Sequence, residues 1–179
     1  MKIYLIGFMG AGKTTIGRLL ADRLGVPFFD LDELVEASEG MSIKELFADK
    51  GEPHFRKRER DLLQSTRYLE DAVIATGGGT FTFEENIQLI QSEGLSIYLA
   101  ASFPLLLSRI GEKAAERPLF RDEMATHQLH QSRLKFYRLS DLTIEIREEE
   151  TPEEVLQRIV ILLPKEILAG ARRRGGRVS

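Results

Sequence analysis

Cysteine is absent from the sequence, so neither a disulfide nor a thiolate metal centre can form, and a chain without thiols suits any redox compartment. No apolar run approaches the length that a membrane-spanning helix requires. The start, Met1-Lys2-Ile3-Tyr4, passes straight into an apolar stretch, so no targeting segment is expected ahead of the fold. There is no surplus of positive charge either: the formal net charge of -3 argues against a broad nucleic-acid surface. Histidine is scarce, and His54, His127 and His130 lack carboxylate or sulfur partners at the spacing of a metal site, so they are expected to be structural or solvated. What remains suits one α/β domain of 179 residues, a cytoplasmic monomer acting on small molecules without nucleic-acid or membrane partners.

The strongest positive signal is Gly7-Phe8-Met9-Gly10-Ala11-Gly12-Lys13-Thr14, a complete G-x-x-x-x-G-K-[ST] loop directly after apolar residues 3–6. Ile16, Leu19, Leu20 and Leu24 follow at helical spacing, which completes the strand, loop and helix that such a loop needs. Glycines let successive backbone N–H groups turn inward around phosphate oxygens, and the start of the helix adds its positive end. Gly10, Ala11, Gly12, Lys13, Thr14 and Thr15 are therefore the expected cradle of a nucleoside triphosphate, with Lys13 reaching the β- and γ-phosphates and Thr14 ligating Mg²⁺.

Further along, apolar stretches alternate with helical periodicity. Residues 28–32 read as a short strand ending in two acids, and residues 72–76, 95–99 and 142–146 read as further strands. Helices between them imply a parallel sheet with right-handed crossovers and helices on both faces. Ser42 and Glu45 have the spacing of a capping box, and Gly51-Glu52-Pro53 is expected to break the helix that they open. Residues 111–123 are charged and Pro-stopped, as a lid over a site is. The domain is expected to span 1–168, with the small and basic residues 169–179 as a flexible tail.

Several side chains beyond the loop suit phosphoryl transfer. Asp30 and Asp32 lie two apart; one can hold the hydration shell of Mg²⁺ while the other accepts a proton, although Asp32 equally suits the N-cap of the next helix. Arg56 and Glu59, at i and i+3, can form a pair that presents a guanidinium to a carboxylate or phosphate. Gly77-Gly78-Gly79 after a strand is either a flexible turn or a place where backbone must approach a ligand closely. Arg117 is either a solvated charge or a cation that closes over the phosphates, and Arg133 is either surface or ligand. Tyr137, on the same helical face, suits core packing.

In this order and spacing the set resembles shikimate kinase, through residues 7–18, Phe-Asp-Leu-Asp at 29–32, Phe-Arg-x-x-Glu at 55–59, Thr-Gly-Gly-Gly at 76–79, Arg-Pro-Leu at 117–119 and Arg-x-x-x-Tyr at 133–137. The resemblance implies the P-loop nucleoside monophosphate kinase-like fold, a five-stranded parallel sheet ordered 2-3-1-4-5. It also implies transfer of the γ-phosphate of ATP to the 3-hydroxyl of shikimate, with Mg²⁺. Carried over by position, Lys13, Asp32 and Arg117 would be catalytic, Asp32, Arg56, Gly78, Gly79 and Arg133 would bind shikimate, and Thr14 with Asp30, through water, would serve the metal. The nucleotide in the cradle of Gly10 to Thr15 would be ATP, and Arg117 would also bind it from the lid.

Overall fold

A computed structural model describes residues 1–111 and 122–173, with side chains as far as residue 171. Five strands form one sheet in the order β2-β3-β1-β4-β5, every neighbouring pair parallel. At its centre is β1 (Lys2–Ile6), buried along its whole length, with β3 (Ala72–Ala75) and β4 (Leu95–Ala101) on either side. Burial on both faces is why these strands are continuous apolar runs and do not alternate. β5 (Leu142–Ile146), at one edge, alternates exposed and buried positions over its last four residues, as its sequence predicts. Ile3, Leu5, Leu20, Val73, Ile97 and Ile159 are among the fully buried side chains, each stabilising the fold by roughly 1.5–3 kcal/mol.

The helices are set by local signals that the sequence carries openly. α1 (Lys13–Leu24) ends at Gly25, which adopts φ 65° as its C-cap. β2 (Phe28–Asp30) is shorter than expected, because the chain turns into α2 (Leu31–Glu39) two residues early. The cap of that helix is Asp30, whose carboxylate accepts from the Asp32 N–H at 3.0 Å; Asp32 itself lies in the first turn. α3 (Ile43–Ser65) opens with the Ser42–Glu45 capping box and is kinked at Gly51, whose φ 78° and ψ 170° are not helical. Then come α4 (Glu84–Glu93), α5 (Phe103–Gly111), α6 (Glu123–Tyr137) and α7 (Pro152–Leu162), the last with Pro at its first position and a Thr151–Glu154 capping box.

The expected tail is partly ordered structure. Residues 165–173 form α8 (Lys165–Arg173), which packs on α1, with Ala171 fully buried and Ile167 and Leu168 against the main core. Small and apolar residues at helical spacing outweigh the basic composition that suggested a solvated segment.

Because all strands run the same way, the turns after β1, β2 and β3 emerge at one edge of the sheet, where open parallel sheets hold their ligands. Those three turns are the P-loop, the Asp30–Asp32 corner and Gly77-Gly78-Gly79.

Candidate active site

Along the P-loop, Gly10 (φ 82°) and Gly12 (φ 96°) adopt the left-handed conformation that turns the backbone around a central space. Lys13 Nζ lies within that loop, donating to the carbonyls of Gly7 at 2.8 Å and Phe8 at 3.0 Å. Thr14 Oγ1 donates to Asp30 Oδ2 at 2.6 Å, so the two expected metal-site residues meet across the loop. One hydroxyl and one carboxylate fit Mg²⁺, which takes few protein ligands and fills its octahedron with phosphate oxygens and water. Consistent with that, no group of three or more His, Asp or Glu among the described residues is arranged to hold a metal by itself.

Charged side chains from several elements converge on the three glycines. A Cβ placed on Gly79 would lie 2.6 Å from a terminal nitrogen of Arg56, and one on Gly77 would lie 2.4 Å from Glu59 Oε1 and 3.0 Å from Asp32 Oδ1. One on Gly78 would lie 3.3 Å from Arg133 Nη1 and 3.4 Å from the backbone nitrogen of Met9 in the P-loop. Side chains are excluded here because two guanidinium groups, two carboxylates and the phosphate loop all converge on this turn.

Each converging group is held by its neighbours. Glu59 is buried; its Oε2 accepts from Arg56 Nη1 at 2.9 Å and its Oε1 from the Thr80 hydroxyl. Arg56 is also flanked by the rings of Phe55 and Phe83, with its guanidinium carbon 5.0 and 5.7 Å from their centroids. Arg133 is buried over the Phe8 ring, and its Nη1 has no hydrogen-bond partner among the described residues. A buried guanidinium nitrogen left unpaired is costly. Tyr137 does more than pack: its hydroxyl donates to the Gly78 carbonyl and so fixes the turn.

Burial, and the negative charges of Asp30 and Glu59, push the Asp32 carboxyl up to about 7, while Lys13 and Arg56 pull it the other way. That value is where a proton acceptor works best near neutral pH.

A cavity of about 400 Å³ runs along the P-loop and reaches Asp32 and Gly78, while Arg56, Gly79 and Arg133 are not among the residues that line it. Its walls include all six residues of the expected ATP cradle, Gly10 to Thr15, together with Asp30, Asp32 and Gly78. The shikimate kinase family model matches residues 9–164 of this sequence. The chain belongs to that family. It is 40% identical over 173 residues to the shikimate kinase of Aquifex aeolicus (strain VF5), a match covering 95% of this chain and 100% of the relative. The crystal structure of shikimate kinase from Aquifex aeolicus vf5 superposes with a TM-score of 0.78 at 39% identity, covering 94% and 99% of the two chains. Shikimate kinase from Acinetobacter baumannii, solved in complex with shikimate, gives a TM-score of 0.85 at 35% identity, covering 94% of this chain and 93% of that one.

Among shikimate kinase residues in this chain, the structure adds some that the sequence reading does not single out. Arg109, in the last turn of α5, lines the cavity and donates to the Gly10 carbonyl at 3.2 Å. Ile146, Glu150, Pro152 and Val155 wall its far end, with Glu150 fixed by Arg158 at 2.8 Å. The residues after β5 read as no more than a helix cap, yet their place at the carboxyl end of a parallel strand was a usable signal. Arg117 and the body of the expected lid lie outside the described residues. Of the three histidines, His54 pairs with Glu39, His127 lies beside Phe103, and His130 is buried between Phe8 and Phe103.

The close approach at Gly79 makes a direct prediction. Gly79→Ala should leave the fold intact, because the obstructing atoms are the end of a side chain, but it should displace the Arg56 guanidinium from Glu59 and raise the KM for shikimate about tenfold. Steady-state kinetics with ATP saturating would check it; an unchanged KM would mean that the guanidinium does not work from this position.

Proposed function

We propose that the chain transfers the γ-phosphate of ATP to the 3-hydroxyl of shikimate, giving shikimate 3-phosphate and ADP on the route to chorismate and the aromatic amino acids. The observation that carries this is the Gly77-Gly78-Gly79 turn, against which Asp32, Arg56, Arg133 and the phosphate loop all close. Two guanidinium groups suit the carboxylate of the acceptor, and a carboxyl poised near neutrality suits its hydroxyl.

In this reading Arg56 and Arg133 clamp the shikimate carboxylate, while Gly78 and Gly79 leave room for the ring. Asp32 takes the proton of the 3-hydroxyl as its oxygen bonds to the γ-phosphorus and the bond to the bridging oxygen of ADP breaks. Lys13 exchanges its two loop carbonyls for phosphate oxygens and neutralises charge that builds there. Thr14 and, through water, Asp30 would hold Mg²⁺, which supplies further neutralisation of the phosphates. Arg117 is assigned to ATP by the family motif alone. The protein contributes position and charge rather than a covalent intermediate. Soluble substrates of this kind suit a cytoplasmic, monomeric enzyme.

ADP release measured with shikimate, gluconate and nucleoside monophosphates in turn tests the proposal. Shikimate alone should stimulate turnover; stimulation by gluconate or a nucleotide instead would overturn the assignment.

A further inference from the structure

Glu39 is the last residue of α2 and belongs to no part of the site described above, yet two cations and an imidazole meet on its carboxylate. Lys50 Nζ lies 2.8 Å and His54 Nε2 3.1 Å from Oε2, and Arg58 Nε lies 2.7 Å from Oε1. Glu39 is partly buried, its side chain 8% exposed, while its partners are each about one-third exposed. The Lys50 hydrogen bond, with His54 assisting, holds its carboxyl down to about 2, so it stays ionised at any working pH.

The positions of those groups matter more than their number. Lys50 ends the first limb of the kinked α3, whereas His54 and Arg58 stand on the first two turns of the second limb. Between them Gly51, with ψ 170°, interrupts the helical backbone, so continuous helical hydrogen bonding does not set the angle between the limbs. The second limb carries Arg56 and Glu59; α2 carries Asp32 in its first turn. Leu31 and Leu63 root the far ends of α2 and α3 in the main core, but near the kink the packing is a small separate apolar cluster of Val35, Leu46 and Phe55 with Met41, Ile43, Phe47 and Leu62 against it. Such a cluster supplies burial, which is non-directional, but it fixes no angle.

We propose that Glu39 is a positioning residue for the acceptor site: by tying both limbs of α3 to the end of α2, it sets the angle at which Arg56 meets the shikimate carboxylate. This rests on Arg56 binding that carboxylate, which Arg56→Ala tests alone by a large rise in shikimate KM. With that established, Glu39→Gln and Glu39→Ala should raise the KM for shikimate about tenfold while the KM for ATP stays within twofold. In the double variant Glu39→Gln with Arg56→Ala, the two losses should not multiply, since the clamp acts through the guanidinium. Arg18→Met, which breaks the exposed Arg18–Glu33 pair on the other side of α2, is the control and should change neither constant.

Equal rises in both KM values, an unchanged shikimate KM, or losses that multiply would each overturn the clamp. Should the Glu39 variants not fold, Lys50→Met releases the first limb only and should still raise the shikimate KM selectively; no selective change would reject the proposal. If Arg56→Ala itself spares shikimate, the acceptor-site reading fails, whatever Glu39 does.

Discussion

Lys13→Met should lower kcat by about 10²- to 10³-fold, the loss expected when one fixed positive group is removed from charge developing in a transition state. Methionine keeps the length and much of the apolar stem, so α1 should still start at this residue and the melting temperature should move little. The two carbonyls that Lys13 now satisfies, those of Gly7 and Phe8, belong to the loop that would receive phosphate. If the ammonium acts mainly in the transition state, kcat and kcat/KM should fall together, with the KM for ATP little changed. A second effect follows from charge. Lys13 is the foremost of the cations that pull the Asp32 carboxyl down, so its loss should raise that group further and move the acid limb of the kcat/KM profile to higher pH. A variant that kept kcat within threefold of the parent would remove Lys13 from the phosphates.

How much of this was legible beforehand depends on the distance over which each signal acts. The P-loop, the Ser42 and Thr151 capping boxes and the alternating apolar runs are local, so residue type and spacing were enough to place them, and the sheet order followed from the family resemblance. The Arg56–Glu59 pair was readable for the same reason, being one turn of helix apart. What the sequence left open was settled by contacts between segments far apart in the chain. Asp30 caps α2 because its other oxygen meets Thr14, 16 residues earlier, and this frees Asp32 for the cavity. Arg133 was indistinguishable from a surface arginine until α6 laid it over Phe8 and against Gly78. Arg109 was left out of the site because the segment that follows it departs from the family pattern, and its partner, a backbone carbonyl 99 residues away, leaves no local trace. Helix α8 went unread since its basic residues dominate the composition while three apolar positions decide the packing.

Asp32→Asn should separate catalysis from stability. Loss of a general base costs roughly 10²- to 10⁴-fold in kcat, and the same substitution should stabilise the unliganded protein at alkaline pH. Folding raises the Asp32 carboxyl from 3.8 to about 7, so the folded state holds this proton more tightly than the unfolded chain. Between those values the native state binds more protons, and stability falls as pH rises. Above about pH 7 the cost is complete, because the carboxylate must then be ionised beside Asp30 and Glu59. Asparagine never ionises and escapes it. Allowing for the partial access of Asp32 to the cavity, the advantage at pH 8 should be about 2 kcal/mol, or roughly 4–8 °C in melting temperature for a domain of this size. At pH 4 it should nearly vanish. Thermal melts of the two proteins at pH 4 and pH 8 read this directly. An equal difference at both pH values would mean that folding does not strain this carboxylate, and retained turnover would mean that the proton goes elsewhere. The expected pair of outcomes has one cause: a carboxyl buried from water and held among like charges is poorly placed for stability and well placed to take a proton.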